Sequence, residues 1–272
     1  MRRPWNSCVQ LSLRQSCVKA ALVSGWRQSR RTRTFSRAWN LAYDEQQPGP
    51  EDLAMALEQA VGDLLTALGG THPLSGSALD VNIADAFVHF DVAEGNFGAD
   101  SEDQLQAVAK ACASDVLGEG EALEVRWQLQ ADERHLLVCA IPSSVMTALR
   151  HAASRHAVVL RHVKPTFACG WNRHARGLRK GVCAFAVGDE YHTLVALVRD
   201  GVVEAVDAGA RPGETVDDPD TPTRLDAQVQ RLVSGMGIDP GLIQHFVAIR
   251  HGRGDAKFSP RWTVHANKKA EP

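Results

Sequence analysis

The densest group of chemistry-bearing side chains lies between residues 150 and 180. His151, His156, His162 and His174 stand there among Arg150, Arg155, Arg161, Lys164, Arg173, Arg176, Arg179 and Lys180. Such a group could grip a phosphate backbone, with Trp171 as a stacking partner. The cations are spread over helix, strand and loop, however, and aromatics are thin, so the group reads as a solvated face meeting an acidic segment. His151 and His156 are five apart, not the three or four that set two metal ligands on one helix face. The sequence holds no His-Glu-x-x-His, no nucleophile elbow and no intact Gly-rich phosphate loop. Asp217, Asp218 and Asp220 lack the spacing of a calcium loop and read as a soluble loop. No metal, no cofactor and no nucleic acid is expected.

Six cysteines (Cys8, Cys17, Cys112, Cys139, Cys169 and Cys183) include no Cys-x-x-Cys pair. That spacing argues against a zinc knuckle or a disulfide framework, and most of these thiols sit in apolar stretches as small core residues.

The 272 residues make one large domain or two joined halves, and 44% hydrophobic content supplies a sizeable core. The net charge of −2 conceals blocks. Residues 1–43 carry nine basic and no acidic residues, 44–133 two and nineteen, and 134–188 nine and none. Such blocks either neutralise each other on folding or dock onto a charged partner. No apolar run reaches the roughly 18–20 residues that cross a bilayer. Arg14, Gln15 and Lys19 interrupt what a secretory signal would need as a continuous apolar stretch. The Arg-rich, acid-free start also fits a transit peptide, but its apolar residues alternate as in strands. A cytoplasmic location is the expectation.

The elements that must position any site follow from periodicity. Val9–Leu13 alternates and Cys17–Val23 follows after a short turn, giving a hairpin; Thr34–Ala42 adds a polar third strand. Pro50 opens a helix with the apolar stripe Leu53, Leu57, Val61, Leu64, Leu65 and Leu68, stopped at Gly69-Gly70. Leu79–Ala84 and Phe87–Ala93 read as adjacent paired strands, followed by a helix capped at Ser101 and the strands Leu123–Leu129 and Leu136–Ile141. A helix from Ser143, the strand Val158–Val163 and a helix over Thr166–Arg176 come next. Val182–Val187, Thr193–Arg199 and Val202–Asp207 form a meander, with Asp200-Gly201 as its second turn. A helix at Leu225–Met236 and a strand at Phe246–Arg250 close the series, and residues after 255 read as a tail.

The local text then becomes specific. Val9-Gln10-Leu11-Ser12-Leu13-Arg14-Gln15-Ser16-Cys17-Val18-Lys19-Ala20 resembles, without a gap, the first phosphate loop of the actin-like type IV pilus assembly proteins. The pattern there is apolar-Gly-Ile-Asp-Ile-Gly-Ser-x-Ser-Val-Lys-Ala. Leu137–Pro142, a helix and Val158–Pro165 resemble that family's approach to its second half, and Ala184–Gly201 resembles its second phosphate loop. The similarity touches most of residues 7–254 and also fits the cytoplasmic part of type II secretion protein L. The fold it implies is α/β, an actin-like duplicated ribonuclease-H-like fold with a small inserted α/β subdomain. The halves are expected at 7–178, with the insertion at about 78–134, and at 179–254, with 255–272 as a tail.

The departures from the pattern carry the functional expectation. In the family the first-loop Asp helps hold the metal, and the first-loop Gly lets backbone amides approach phosphate. Ser12 and Arg14 stand at those positions. Serine has no charge with which to fix Mg²⁺, and arginine adds bulk where backbone and phosphate should meet, although its guanidinium could itself bind phosphate. In the second loop Ala186 takes the place of the Asp, Gly188 is kept, and Asp189 and Glu190 would repel phosphate. The closing Gly pair is only echoed in Gly252-Arg253-Gly254. The resemblance therefore implies a non-catalytic scaffold with degenerate phosphate loops. It would sit at the cytoplasmic face of a bacterial inner-membrane pilus or secretion platform, bound to a single-span inner-membrane assembly protein, with self-association left open. An active or nucleotide-binding ATPase and a basic-patch nucleic-acid binder are the alternatives.

Overall fold

A computed structural model describes residues 7–14, 17–24, 33–38, 50–117, 122–188, 192–210, 221–250 and 262–266. In chain order the elements are β1 (Ser7–Leu13), β2 (Cys17–Ser24), β3 (Arg33–Ala38), α1 (Pro50–Gly69), β4 (Ala78–Ile83) and β5 (His89–Glu94). Next come α2 (Glu102–Leu117), β6 (Leu123–Leu129), β7 (His135–Pro142), α3 (Ser143–Arg155), β8 (Val159–Pro165) and α4 (Thr166–His174). The last are β9 (Val182–Gly188), β10 (His192–Arg199), β11 (Val202–Ala210), α5 (Thr221–Gly235), β12 (Ile243–Arg250) and β13 (Trp262–Ala266). The described residues form two compact units. The first runs to Ala84 and resumes at Pro142–Thr166; the second holds Asp85–Ile141 and the residues from Phe167 onward.

The first unit is one sheet in the order β3-β2-β1-β4-β8. Its first three strands are antiparallel, and β4 and β8 are parallel to β1. Alternation in the strands aims Val9, Leu11 and Leu13 with Leu79, Val81 and Ile83 at one core, all under 3% exposed. The apolar stripe of α1 and the Val145, Ala148, Leu149 and Ala152 face of α3 bury in the same unit. The expected pairing of Leu79–Ala84 with Phe87–Ala93 does not form: β4 pairs β1 and β8, while β5 pairs β7. Parallel pairing needs a crossover, here α1, which a search for neighbouring hairpins passes over.

The second unit repeats the strand order as β11-β10-β9-β12-β13. β9 is buried along Val182–Val187 because both of its faces are covered. Val182, Ala184 and Ala186 pack with Leu225, Val229 and Val233 of α5. Cys183, Phe185 and Val187 pack with Phe90 of β5 and Phe167 of α4. Phe167 sets its ring 5.1 Å from Phe90 and 5.6 Å from Phe185, and Trp171 meets Phe185 edge-on. The β10–β11 hairpin turns through Asp200 and Gly201 at φ +51° and +85°, the two left-handed residues that the Asp-Gly pair supplies. The helix expected over Thr166–Arg176 is α4 to His174, continued by a 3-10 turn at Ala175–Leu178.

In the same unit β5, β7 and β6 form a small sheet in that order, with α2 on one face. Ser101 and Gln104 cap α2 reciprocally, Ser101 donating its N–H to Gln104 Oε1 (2.8 Å) and Gln104 its N–H to Ser101 Oγ (3.3 Å). Gln130 reaches across to β11: its Nε2 donates to the Val203 carbonyl (2.5 Å) and its Oε1 accepts the Val203 N–H (2.7 Å). The stretch expected as a tail contains β13, which lies parallel to β12. Trp262 is its anchor, 5% exposed, against Phe246 and with its indole N–H on Asp226 (3.0 Å).

Phe167→Ala removes the ring that joins Phe90 to Phe185 on one face of β9 and is expected to cost about 3–5 kcal/mol. At Gly170, an added Cβ would stand 3.0 Å from Ile249 Cδ1 and 3.3 Å from Val187 Cγ2, so Gly170→Ala is expected to cost about 1–3 kcal/mol. Urea unfolding followed by tryptophan fluorescence checks both.

Candidate functional site

The first candidate loop joins β1 to β2. Leu13 pairs Val18, and the Arg14 N–H donates to the Cys17 carbonyl (2.9 Å), which closes the turn. The Leu13 carbonyl accepts the Ala84 N–H (2.9 Å) and ties in the end of β4. Ser12 and Arg14 are both 6% exposed. Register sets Ser12 beside Asn82 and Asn82 beside Lys164, with Lys19 opposite Ser12. The row nearest the strand ends is therefore a hydroxyl, an amide and two ammonium groups, without a carboxylate. Thr166 Oγ1 donates to the Ile83 carbonyl (3.0 Å) in the same region. Two residues past β4, Asp85 is buried and belongs to the second unit, where its Oδ1 accepts the Phe167 N–H (2.9 Å) at the start of α4.

The second candidate loop joins β9 to β10. Gly188 pairs Thr193, so four residues separate the last pair of this hairpin, as four separate Leu13 from Val18. The internal repeat thus matches Gly188 to Leu13 and Val187 to Ser12. Ala186, which the sequence reading sets at the acidic position, corresponds to Leu11 and lies 1% exposed in the core under α5. Val187 occupies the counterpart of Ser12 and is closed off at 2% exposure among Phe185, Leu194 and Ile249. Asp189, Glu190 and Gly252–Gly254 lie outside the described residues.

Part of the basic region forms ion pairs with the acidic segment. Arg155 meets Glu58 (2.6 Å), His151 approaches the same carboxylate (3.6 Å), and Arg161 pairs with Asp80. Arg37 pairs with Asp63 from the other basic block. Burial and the nearby Arg155 cation lower the pKa of His156, which lines a cleft of about 410 Å³ between α1 and α3 with Met55, Glu58, Gly62 and Asp63. The thiols are held protonated: burial and the Asp80 contact push Cys8 up to about 11, while Cys112 and Cys139 rise to about 12, chiefly by burial. None of these three is a ready nucleophile at neutral pH. Among the described residues no three His, Cys, Asp or Glu side chains gather as a metal site. Sequence reading missed the ring contact of His174 and His265 (centroids 4.8 Å apart, tilted 37°), since the two lie far apart in the chain.

No protein-family model and no curated protein sequence matches this chain. Solved structures do. A Bacteroides thetaiotaomicron protein with an actin-like ATPase fold and unknown function matches at a TM-score of 0.57 and 9% identity, over 93% of this chain and 86% of that one. The PilM–PilN type IV pilus biogenesis complex matches at 0.56 and 13%, over 91% and 81%. The cytoplasmic domain of EpsL, an inner-membrane component of the Vibrio cholerae type II secretion system, matches at 0.50 and 10%, over 95% and 90%. The chain has the actin-like fold. An actin-like duplication accounts for the same strand order in both units. No helix among the described residues is long and apolar enough to cross a membrane.

At the β10 end of the actin-like second loop, burial lowers the pKa of His192 to about 4, with its ring Nδ1 enclosed. The unfolded chain binds a proton near pH 6.5 that the folded chain refuses until about pH 4, so stability falls as pH drops through that window. Urea titrations between pH 7 and pH 4 are expected to show a loss approaching about 3 kcal/mol from this group. His192→Gln should flatten the slope; His89, His156 and His174, shifted the same way, leave part of it.

Proposed function

We propose that this chain is a non-catalytic actin-like scaffold of a bacterial inner-membrane pilus or secretion platform. One observation carries the reading: the corresponding strand ends hold a buried serine and a buried valine, Ser12 and Val187, where metal-dependent phosphate chemistry calls for carboxylates. Mg²⁺ keeps its waters and binds through carboxylates and phosphate oxygens, and neither side chain replaces one. Loss of even a few kcal/mol of such contacts removes orders of magnitude in rate. The two similar structures with assembly roles, the PilM–PilN complex and the EpsL cytoplasmic domain, support a platform role. The partner in this reading is a single-span inner-membrane assembly protein. The chain itself is cytoplasmic and reaches the membrane through that partner.

A second reading has a specific basis. Lys19, opposite Ser12, and Lys164, beside Asn82, share a row near the strand ends, with Arg14 two residues past Ser12, so the first loop offers cations to an anion with no metal. Melting curves separate the two. Ligand at a hundredfold excess over Kd adds about 2.7 kcal/mol of stability. The scaffold reading expects no such shift with Mg·ATP; a Mg²⁺-dependent shift or ATP turnover overturns it, and a shift with ATP that ignores Mg²⁺ supports the anion site. Affinity capture from detergent-solubilised inner membranes is expected to recover a pilus or secretion component. Recovery of none counts against the platform role.

A further inference from the structure

Three features outside the strand ends offer themselves: the α1/α3 cleft, the His174–His265 pair, and the outer edge of β8. The cleft balances Glu58 and Asp63 against Arg155 and His156, and nothing there selects an occupant. The histidine pair has no third ligand among the described residues. The β8 edge is different in kind.

β8 is the last strand of its sheet, paired to β4 on one side and to no described strand on the other. An unpaired edge is a template for another extended chain, and proteins guard such edges with charge, proline or a bulge. Here the guard is of one sign. The register slips between Leu79 and Asp80, so Arg161 is the extra residue, with Arg161, His162 and Lys164 all exposed. Asp80, the acid of the paired strand, is engaged by Arg161 and Cys8 on the inner side. Between residues 134 and 188 the sequence has no acid at all. Val159, 59% exposed, adds an apolar foothold at the start of the edge. A cationic guard repels a second cationic edge but attracts an acidic one, and backbone pairing with alternate side-chain contacts is a recurring mode of peptide capture.

We propose that the outer edge of β8 is a docking site for an extended acidic segment of a partner protein, which adds to the sheet as a sixth strand. The inference rests on the scaffold reading and names the place and the chemistry of its partner contact. Residues His162 and Lys164 steer and hold the acids, Val159 receives an apolar side chain, and the β8 backbone sets the register.

The test uses the full chain and a fluorescein-labelled peptide of alternating Val and Glu. Binding is expected to weaken as salt rises. It should fall about tenfold in the His162→Glu/Lys164→Glu variant. The same peptide with alternate backbone amides methylated should not bind, and hydrogen exchange should slow at residues 159–165 on peptide addition. Both substituted side chains are exposed, so circular dichroism and melting should match the parent; if the variant does not fold, the exchange map of the parent decides. Equal binding of the Lys-for-Glu peptide, binding of the methylated peptide, or protection elsewhere than β8 overturns the proposal. A dimer that the double variant abolishes, without acidic-peptide binding, overturns it in favour of a second copy. Capture of an inner-membrane component unchanged by the double variant removes the β8 assignment while leaving the scaffold reading in place.

Discussion

Parallel pairing of a first strand with a fourth is the constraint on which this molecule turns. In each unit an antiparallel meander lays three strands outward from β1 or β9, and the fourth strand then comes in on the opposite side. That arrangement puts β1 and β9 at the centre of their sheets, flanked on one side by a strand reached through a hairpin and on the other by one reached through a crossover. Strand order reverses there, and in open α/β sheets the carboxyl ends of strands at such a reversal are where ligands find room and converging backbone dipoles. Everything else in the fold, from the α1 stripe to the aromatic cluster around Phe167, serves to hold those two strand ends.

What the ends carry therefore matters more than what surrounds them. Near β1 the side chains are a buried serine, an amide and cations; at β9 an apolar valine is packed against α4. The two ends differ in character. The first keeps polar groups that could face an anion, and the second has been taken into the core, where Val187 helps seat Gly170 and thereby α4.

Much of this was legible from residue spacing. The leucine stripe of α1, the hairpin turn at Asp200-Gly201, the Ser101 cap and the strand at Leu136–Ile141 follow from short-range rules and stand where those rules put them. Long-range choices were not legible. β4 alternates as well as any hairpin strand, and only its crossover partner β1 fixes its place. β13 is five residues with one strong anchor, Trp262, too short to separate from a tail. The sequence reading puts Ala186 at the acidic position, whereas a count from the closing pair of the hairpin puts Val187 there, and in a strand one residue moves the side chain to the other face. Hairpin register, as the Gly188–Thr193 pairing gives it, is what aligns Val187 with Ser12 by count.

Gln130 illustrates a different kind of boundary. By chain order it belongs to the small sheet between β4 and α3, a segment that looks removable. Its amide nonetheless satisfies both main-chain groups of Val203, 73 positions later, as one residue of a neighbouring strand would do. Excision of the small sheet at its topological ends would leave that carbonyl and N–H orphaned and would strip Phe90 from the aromatic core. The segment is an insertion in topology and a keystone in energy, so the line along which this protein could be cut or recombined does not run where its sequence first suggests.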